Sequence, residues 1–433
     1  MGKRVAFVTL GCAKNEVDSA HMQENLLQAG YTVVGPDDAC DAVIVNTCSF
    51  IQDAVEESID VIFEIAKEQA VIDGDTKLIV AGCLPSRYGN ALGEELTEAD
   101  RFVPCAQEDD IVGILNELFD CESEPVVNGK VVVADSPSAY VKISDGCNRY
   151  CSYCTIPFIR GPYQSRPFDD IASEVGNLVD AGVREIVLIA QDSGLWGLDL
   201  VDDGKSPSNL PLLLKRLARL HPDTWFRVMY LQPGGIDDQL LSVMEDHDNV
   251  CWYLDIPLQH ANAEILHSMY RSGDKASFLD SLHKIRPRLT GVALRTTVIV
   301  GYPGETEEQF DELCDFIAEA EFDYVGVFPY SPEEGTRAAN MPNQVPDDVK
   351  MERFQTLRDL ADQISSSRIK RHIGETMDVL ILGEEEDGQL YGRCQYQAPE
   401  VDGVVYVDKG EVGQIVSVTI TDTLMYEMEG EVG

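Results

Sequence analysis

Three cysteines fall within eight residues in the run Asp145-Gly146-Cys147-Asn148-Arg149-Tyr150-Cys151-Ser152-Tyr153-Cys154, a C-x3-C-x2-C triplet. Thiolates are soft ligands, and a short loop can turn all three onto one metal centre while leaving one coordination position unfilled. Two plainer accounts stand beside this one: three unrelated loop cysteines, or three ligands of a zinc site whose fourth lies elsewhere. Zinc sites favour paired C-x2-C units, and this region offers a single such pair.

A second set of cysteines is scattered along the first hundred residues. Apolar runs at 5–10, 41–46 and 77–81 read as buried strands, with helical patterns at 16–29 and 52–69 between them. That alternation is expected of a doubly wound parallel sheet. Cys12, Cys48 and Cys83 each stand one to three residues beyond one of the three strands. In a parallel sheet those ends share one edge, the edge where open α/β folds bind ligands. Cysteine is also a common core residue. Core cysteines, however, would fall inside the apolar runs, whereas these fall just past them. The remaining Cys40, Cys105, Cys121, Cys251, Cys314 and Cys394 show no ligand spacing and read as core or surface thiols.

The elements that must carry these residues form three expected domains. Residues 1–125 hold the doubly wound sheet, and a Glu/Pro/Gly-rich link follows over 119–138. Residues 138–365 begin with a strand at 139–143 that delivers the triplet. Strands then follow at 185–190, 225–229, 251–254, 292–300 and 324–328, with helices at 168–181, 211–220, 263–270 and 307–320. Six strands with intervening helices suit an open, partial TIM-like barrel rather than a closed eightfold one. Functional residues are then expected at carboxyl strand ends, as Gln191, Asp192, Gln259, His260, Gly301 and Tyr330 are; His260 reads as a structural histidine. After a helical stretch at 348–371, residues 372–433 change to short strands at 378–382, 388–394, 403–407 and 414–419, a small β-barrel.

Composition bounds the partners. The 433 residues carry 33 basic and 76 acidic side chains, a formal charge of −43 that repels phosphate backbones and attracts basic partners, or reflects a generally acidic proteome. Residues 372–433 hold 14 acidic side chains against only Arg393 and Lys409. A barrel that cradles phosphates needs the opposite balance. No run approaches the ~18 apolar residues of a membrane helix, the N-terminal run is too short for a signal peptide, and 12 cysteines are too dilute for a disulfide scaffold. Reduced cysteines in the cytoplasm are expected.

The triplet, with an aromatic before its last cysteine, resembles the radical S-adenosylmethionine (SAM) signature. The run Thr155-Ile156-Pro157-Phe158-Ile159-Arg160-Gly161 and Ser165-Arg166-Pro167 are similar to the methylthiotransferase branch of that superfamily. The words around the other set, Thr9-Leu10-Gly11-Cys12-Ala13-Lys14-Asn15, Val45-Asn46-Thr47-Cys48-Ser49-Phe50-Ile51 and Ala81-Gly82-Cys83-Leu84-Pro85, resemble the N-terminal domain of the same family, and the last barrel resembles a TRAM domain.

The resemblance implies two four-iron four-sulfur (4Fe-4S) clusters, one on Cys147, Cys151 and Cys154 with SAM on its open iron, and an auxiliary one on Cys12, Cys48 and Cys83. It also implies SAM contacts at Tyr153, Gln191, Arg295 and Gly301, no catalytic residue beyond the cluster ligands, a sulfur donor, and an electron donor such as flavodoxin or ferredoxin. Within the family the same words, with Ser86-Arg87-Tyr88, are similar to the branch that modifies an aspartate of a small-subunit ribosomal protein. The acidic barrel suits that basic substrate rather than nucleic acid. The alternative is a transfer-RNA adenosine. A non-enzymatic two-cluster redox protein is the reading from a different class.

Overall fold

Runs of Val, Ile and Ala over the first 104 residues form one parallel sheet. The computed structural model describes residues 2–121, 132–134, 136–201 and 207–433, and these fall into two compact units. The first comprises residues 1–133 with 145–148 and 154–164; the second comprises 134–144, 149–153 and 165–433. Most of the expected link lies outside the described residues.

In the first unit the strands are β1 (Arg4–Thr9), β2 (Thr32–Val34), β3 (Ala42–Thr47), β4 (Lys77–Gly82) and β5 (Arg101–Pro104), in the order β2-β1-β3-β4-β5. All four pairings are parallel. Every residue of β3 is buried, because helices cover both faces, as a parallel sheet requires. Val5, Phe7, Ile44 and Ile79 pack on one side with Met22 and Leu26 of helix Ala13–Gln28. Val43, Val45 and Val80 pack on the other with Val55 and Ile62 of helix Gln52–Ala66. The hydrophobic pattern does not announce β2 and β5, because each is an edge strand of three or four residues, too short for a periodic signal.

The second unit contains β6 (Ser138–Lys142); two short paired strands, β7 (Ser144–Asp145) and β8 (Gln164–Ser165), flank the triplet in sequence. Next come β9 (Glu185–Ile189), β10 (Trp225–Val228), β11 (Tyr253–Asp255), β12 (Ala293–Val300) and β13 (Tyr324–Pro329). They form two parallel three-stranded sheets, β10-β9-β6 and β11-β12-β13. Six strands in two open sheets agree with the expected partial barrel. Helices Asp238–Asp246 and Lys275–Ile285 had not been expected; each starts on an aspartate that caps its first turn, Asp237 and Asp274.

The same unit ends in a closed barrel, β14 (Thr376–Glu384), β15 (Leu390–Cys394), β16 (Val405–Val407), β18 (Glu427–Val432) and β17 (Ile415–Leu424), in that order. Register shifts at Ile381/Gly383 and Ile420/Asp422 supply the bends that closure needs. The fifth strand alternates Glu with Met and Gly, which hid it from the hydrophobic pattern. No described helix is long and apolar enough to cross a membrane.

Two buried ionic groups join this barrel to the strands before it. Glu185 on β9 accepts from Arg227 at 2.9 Å and from Arg393 of β15, while Arg227 also donates to the carbonyls of Cys394 and Gln395 at 3.3 and 2.9 Å. Burial pushes the Glu185 carboxyl up, but Arg393 and Arg227 overcome it and hold it down at about 2. Its contribution to stability is therefore present above the ordinary carboxylate range and is lost as pH falls towards about 2. Glu185→Gln leaves two buried guanidinium groups uncompensated. We expect it to lower stability by about 3–5 kcal/mol, seen as an earlier urea midpoint of tryptophan fluorescence. Asp402 forms the second group, accepting from Tyr253 and from the Ala398 N–H at 2.8 Å, with Arg295 at 3.6 Å.

Candidate functional site

The carboxyl edge of the first sheet gathers Cys12, Cys48 and Cys83 around one side chain, that of Asn15. Asn15 is fully buried in the first turn of helix Ala13–Gln28. Its Nδ2 donates to the carbonyls of Leu10 at 2.9 Å and Thr47 at 2.8 Å, so one amide pins the loops that carry Cys12 and Cys48. Its Oδ1 accepts from the thiols of Cys12 at 3.7 Å and Cys83 at 3.8 Å.

Two glycines set the spacing of these loops. Gly11 has φ +101°, and a Cβ there would stand 2.6 Å from the Cys48 Cβ and 3.1 Å from its sulfur. Gly82 has φ +93°, and a Cβ there would meet Asn46 Oδ1 at 2.2 Å. Any other residue would push the loops apart.

Burial raises the Cys48 thiol, and the neighbouring Cys12 adds to the effect. A metal must displace such protons as it binds. Among the described residues no three such side chains stand at bonding geometry for a single ion. The Cys12 and Cys83 thiols are instead turned onto Asn15, an acceptor that metal binding would release. Three soft thiols, of which Cys48 and Cys83 are buried, suit an iron-sulfur cluster better than a hard cation.

The triplet is held from several sides. In the first unit the Cys147 N–H donates to the Gly161 carbonyl at 3.1 Å, and Asp145 pairs with Arg160 at 3.1 Å. In the second unit Arg149 pairs with Asp192 at the end of β9. Ser152 is bonded at its N–H to the Met269 carbonyl and at its hydroxyl to Tyr302 at 2.7 Å. Arg271 Nη1 stands 4.0 Å from the Cys151 sulfur, while its Nη2 is engaged by Gln232 and the Pro257 carbonyl.

The four expected SAM contacts fare differently. Gln191 stands two residues past β9, at a carboxyl strand end. Gly301 directly follows β12, and its N–H donates to the Glu305 carboxylate at 3.1 Å. Tyr153 packs on the apolar group of Ile265, Met269, Tyr302, Tyr330 and Ala338. Arg295, near the start of β12, pairs with Asp255 at 2.8 Å, donates to the Thr297 hydroxyl at 3.2 Å and faces Asp402 of the last barrel at 3.6 Å. Its guanidinium thus has partners on both the strand and the barrel. His260 is fully buried, its Nδ1 accepting from the Asn262 N–H, as a structural histidine should be.

Four residues had not been singled out from the sequence: Asn15, Arg160, Arg271 and Cys105. Cys105 carried a signal that went unread. It directly follows β5, at the same carboxyl edge as the other three cysteines, and the adjacent Cys83 and burial push its thiol up.

Comparison with known proteins agrees with this arrangement. Residues 4–104 match an uncharacterized protein family, UPF0004, residues 141–317 match the radical SAM superfamily and residues 373–432 match the TRAM domain. A relative from Clostridioides difficile (strain 630), named ribosomal protein uS12 methylthiotransferase RimO, is 41% identical over 443 residues, covering 99% of this chain and 98% of its own. The chain belongs to the RimO family. A second RimO, from Pelotomaculum thermopropionicum, is 40% identical over 454 residues, covering 100% and 99% of the two chains. Among solved structures, the radical S-adenosylmethionine methyltransferase TsrM from Kitasatospora setae matches with a TM-score of 0.55 at 15% identity, over 78% of this chain and 77% of that one. That likeness speaks to fold alone. Membership of the RimO family and of the radical SAM superfamily makes the chain an enzyme that uses SAM and a 4Fe-4S cluster.

Proposed function

We infer that this chain is a radical SAM methylthiotransferase that places a methylthio group on the β-carbon of an aspartate in ribosomal protein uS12. Support comes from full-length similarity to proteins of that name, and above all from one observation: three cysteine loops, besides the radical triplet, meet on Asn15. Cys147, Cys151 and Cys154 would hold the radical cluster, which with SAM supplies the one-electron chemistry that removes hydrogen from an unactivated carbon. Cys12, Cys48 and Cys83 would hold a second 4Fe-4S cluster, which supplies the sulfur.

The chain's own residues bind and orient. Asn15 fixes the auxiliary loops, Arg149 and Asp192 tie the triplet to β9, and Gln191 and Gly301 offer polar groups to SAM at two strand ends. Tyr153 contributes an aromatic face with its apolar neighbours. No side-chain acid or base is required for the transfer. An electron donor of the flavodoxin or ferredoxin type and a separate sulfur donor would complete the reaction, in the cytoplasm where ribosomal proteins are made.

The barrel favours protein over RNA. Of its two basic residues Arg393 turns inward to Glu185, leaving Lys409 beside 14 acidic side chains. The run Glu384-Glu385-Glu386-Asp387 is exposed. Such a surface attracts a basic protein and repels phosphates. The test is a competition: reconstituted full-length protein with SAM and a low-potential reductant, offered uS12 and transfer RNA together. We expect the mass of a methylthio group on uS12; methylthio-adenosine in the transfer RNA with unmodified uS12 would overturn the substrate choice.

A further inference from the structure

Arg160 lies six residues after Cys154, and its side chain is only 2% exposed. Its Nη2 donates to Asp18 at 2.8 Å and Asn15 Oδ1 at 3.0 Å, and its Nη1 to Asp145 at 3.1 Å. Burial opposes the charge, but Asp18 and Asp145 more than offset it and keep the guanidinium ionised. Held at both ends by carboxylates, the group has its remaining reach fixed, and Nη2 stands 3.8 Å from the Cys83 sulfur.

A second donor comes from another element. Cys105 is anchored by its N–H, which donates at 2.8 Å to the Ser86 hydroxyl on the short helix that begins at Cys83, and the adjacent Cys83 sulfur together with burial pushes the Cys105 thiol up, so that it keeps its proton. Cys83 is thus approached by two donors, while Cys12 and Cys48 have neither as a hydrogen-bond partner among the described residues.

The contact strengthens with the chemistry. Nη2 has two hydrogens and three acceptors, of which Asn15 Oδ1 is neutral. Once Cys83 gives up its proton to a metal, its sulfur becomes an anionic acceptor and competes better for the second hydrogen. Hydrogen bonds to ligand sulfurs withdraw charge from an iron-sulfur cluster and raise its reduction potential.

We propose that Arg160 and Cys105 are positioning residues that donate to the Cys83 sulfur and raise the reduction potential of the cluster held by Cys12, Cys48 and Cys83. This rests on the two-cluster reading above. One chain would carry two 4Fe-4S clusters, and a Cys83 sulfur faced by a fixed guanidinium at 3.8 Å and a neighbouring thiol, against the single Arg271 Nη1 at 4.0 Å from the Cys151 sulfur, is a means of separating their potentials.

The test is an EPR-monitored redox titration of the full chain carrying Cys147→Ala, Cys151→Ala and Cys154→Ala, so that only the auxiliary cluster remains. If that protein binds no iron, the two-cluster reading itself fails. If it binds a cluster, Arg160→Gln and Cys105→Ala added singly should each make the cluster harder to reduce, cutting the reduced-to-oxidised ratio about tenfold at fixed potential, ~59 mV for one electron. An unchanged midpoint in both variants, with iron retained, overturns the proposal. Should Arg160→Gln lose its iron, Cys105→Ala decides alone, and an unshifted midpoint there overturns it equally.

Discussion

Cys151→Ala is expected to abolish SAM cleavage while leaving the auxiliary cluster intact. The radical cluster depends on three thiolates from a single loop, and no fourth cysteine of the chain stands within that loop to replace one. Removing Cys151 also leaves Arg271 Nη1, now 4.0 Å from its sulfur, without that partner. Iron should fall from about eight to about four per chain, two four-iron clusters against one. With SAM and a strong reductant the variant should form no 5′-deoxyadenosine above the background of a protein-free mixture. Full iron content, or continued 5′-deoxyadenosine formation, would refute the division of roles between the two sets of cysteines.

Cys83→Ala should give the complementary result. Cys83 is buried at the start of the short helix after β4, where it meets Asn15, Arg160 and Cys105. Its loss removes one of three auxiliary ligands and leaves untouched the bonds of Ser152 to Met269 and Tyr302 and of Arg149 to Asp192. The variant should therefore still cleave SAM, retain about four irons per chain, and transfer no methylthio group to uS12. Product analysis separates the outcomes: 5′-deoxyadenosine without methylthio-aspartate is expected, and full transfer activity would remove Cys83 from the auxiliary site. A loss of both products would mean that the two sets of cysteines do not act as separable sites.

Much of this arrangement was legible in the sequence because its signals are local or periodic. Apolar runs ending just before Cys12, Cys48 and Cys83 identified three parallel strands and placed the cysteines at one edge. The helix at 307–320 was readable to the residue, since Thr306 and Gln309 form a capping box. What escaped was set by tertiary partners. Asn15 resembles any first-turn polar residue until the Leu10 and Thr47 carbonyls are seen converging on it. Cys105 was hidden because β5 is a four-residue edge strand beginning with Arg and ending with Pro. Arg295 sits near the start of β12, where neither composition nor spacing announces that Asp255 and Asp402 will claim its guanidinium. The barrel's fifth strand was lost to alternating acidic residues.

The acidic character of the chain had two readings, substrate attraction or a generally acidic proteome. The position of Arg393 favours the first for the barrel. Of the barrel's two cations, that one is buried against Glu185 instead of offsetting the surface charge. With Arg393 buried there, Lys409 is the one remaining Lys or Arg against the acidic side chains of residues 372–433, which leaves that surface strongly negative.

The central claim, methylthio transfer to an aspartate of uS12, is tested most directly by the intact mass of uS12 from cells with and without this gene. The account predicts that uS12 loses the mass of one methylthio group when the gene is removed, at a fragment containing the aspartate, and regains it when the intact gene is restored but not when the Cys83→Ala or Cys151→Ala form is supplied. An unchanged uS12 mass, together with the disappearance of methylthio-adenosine from transfer RNA, would contradict it.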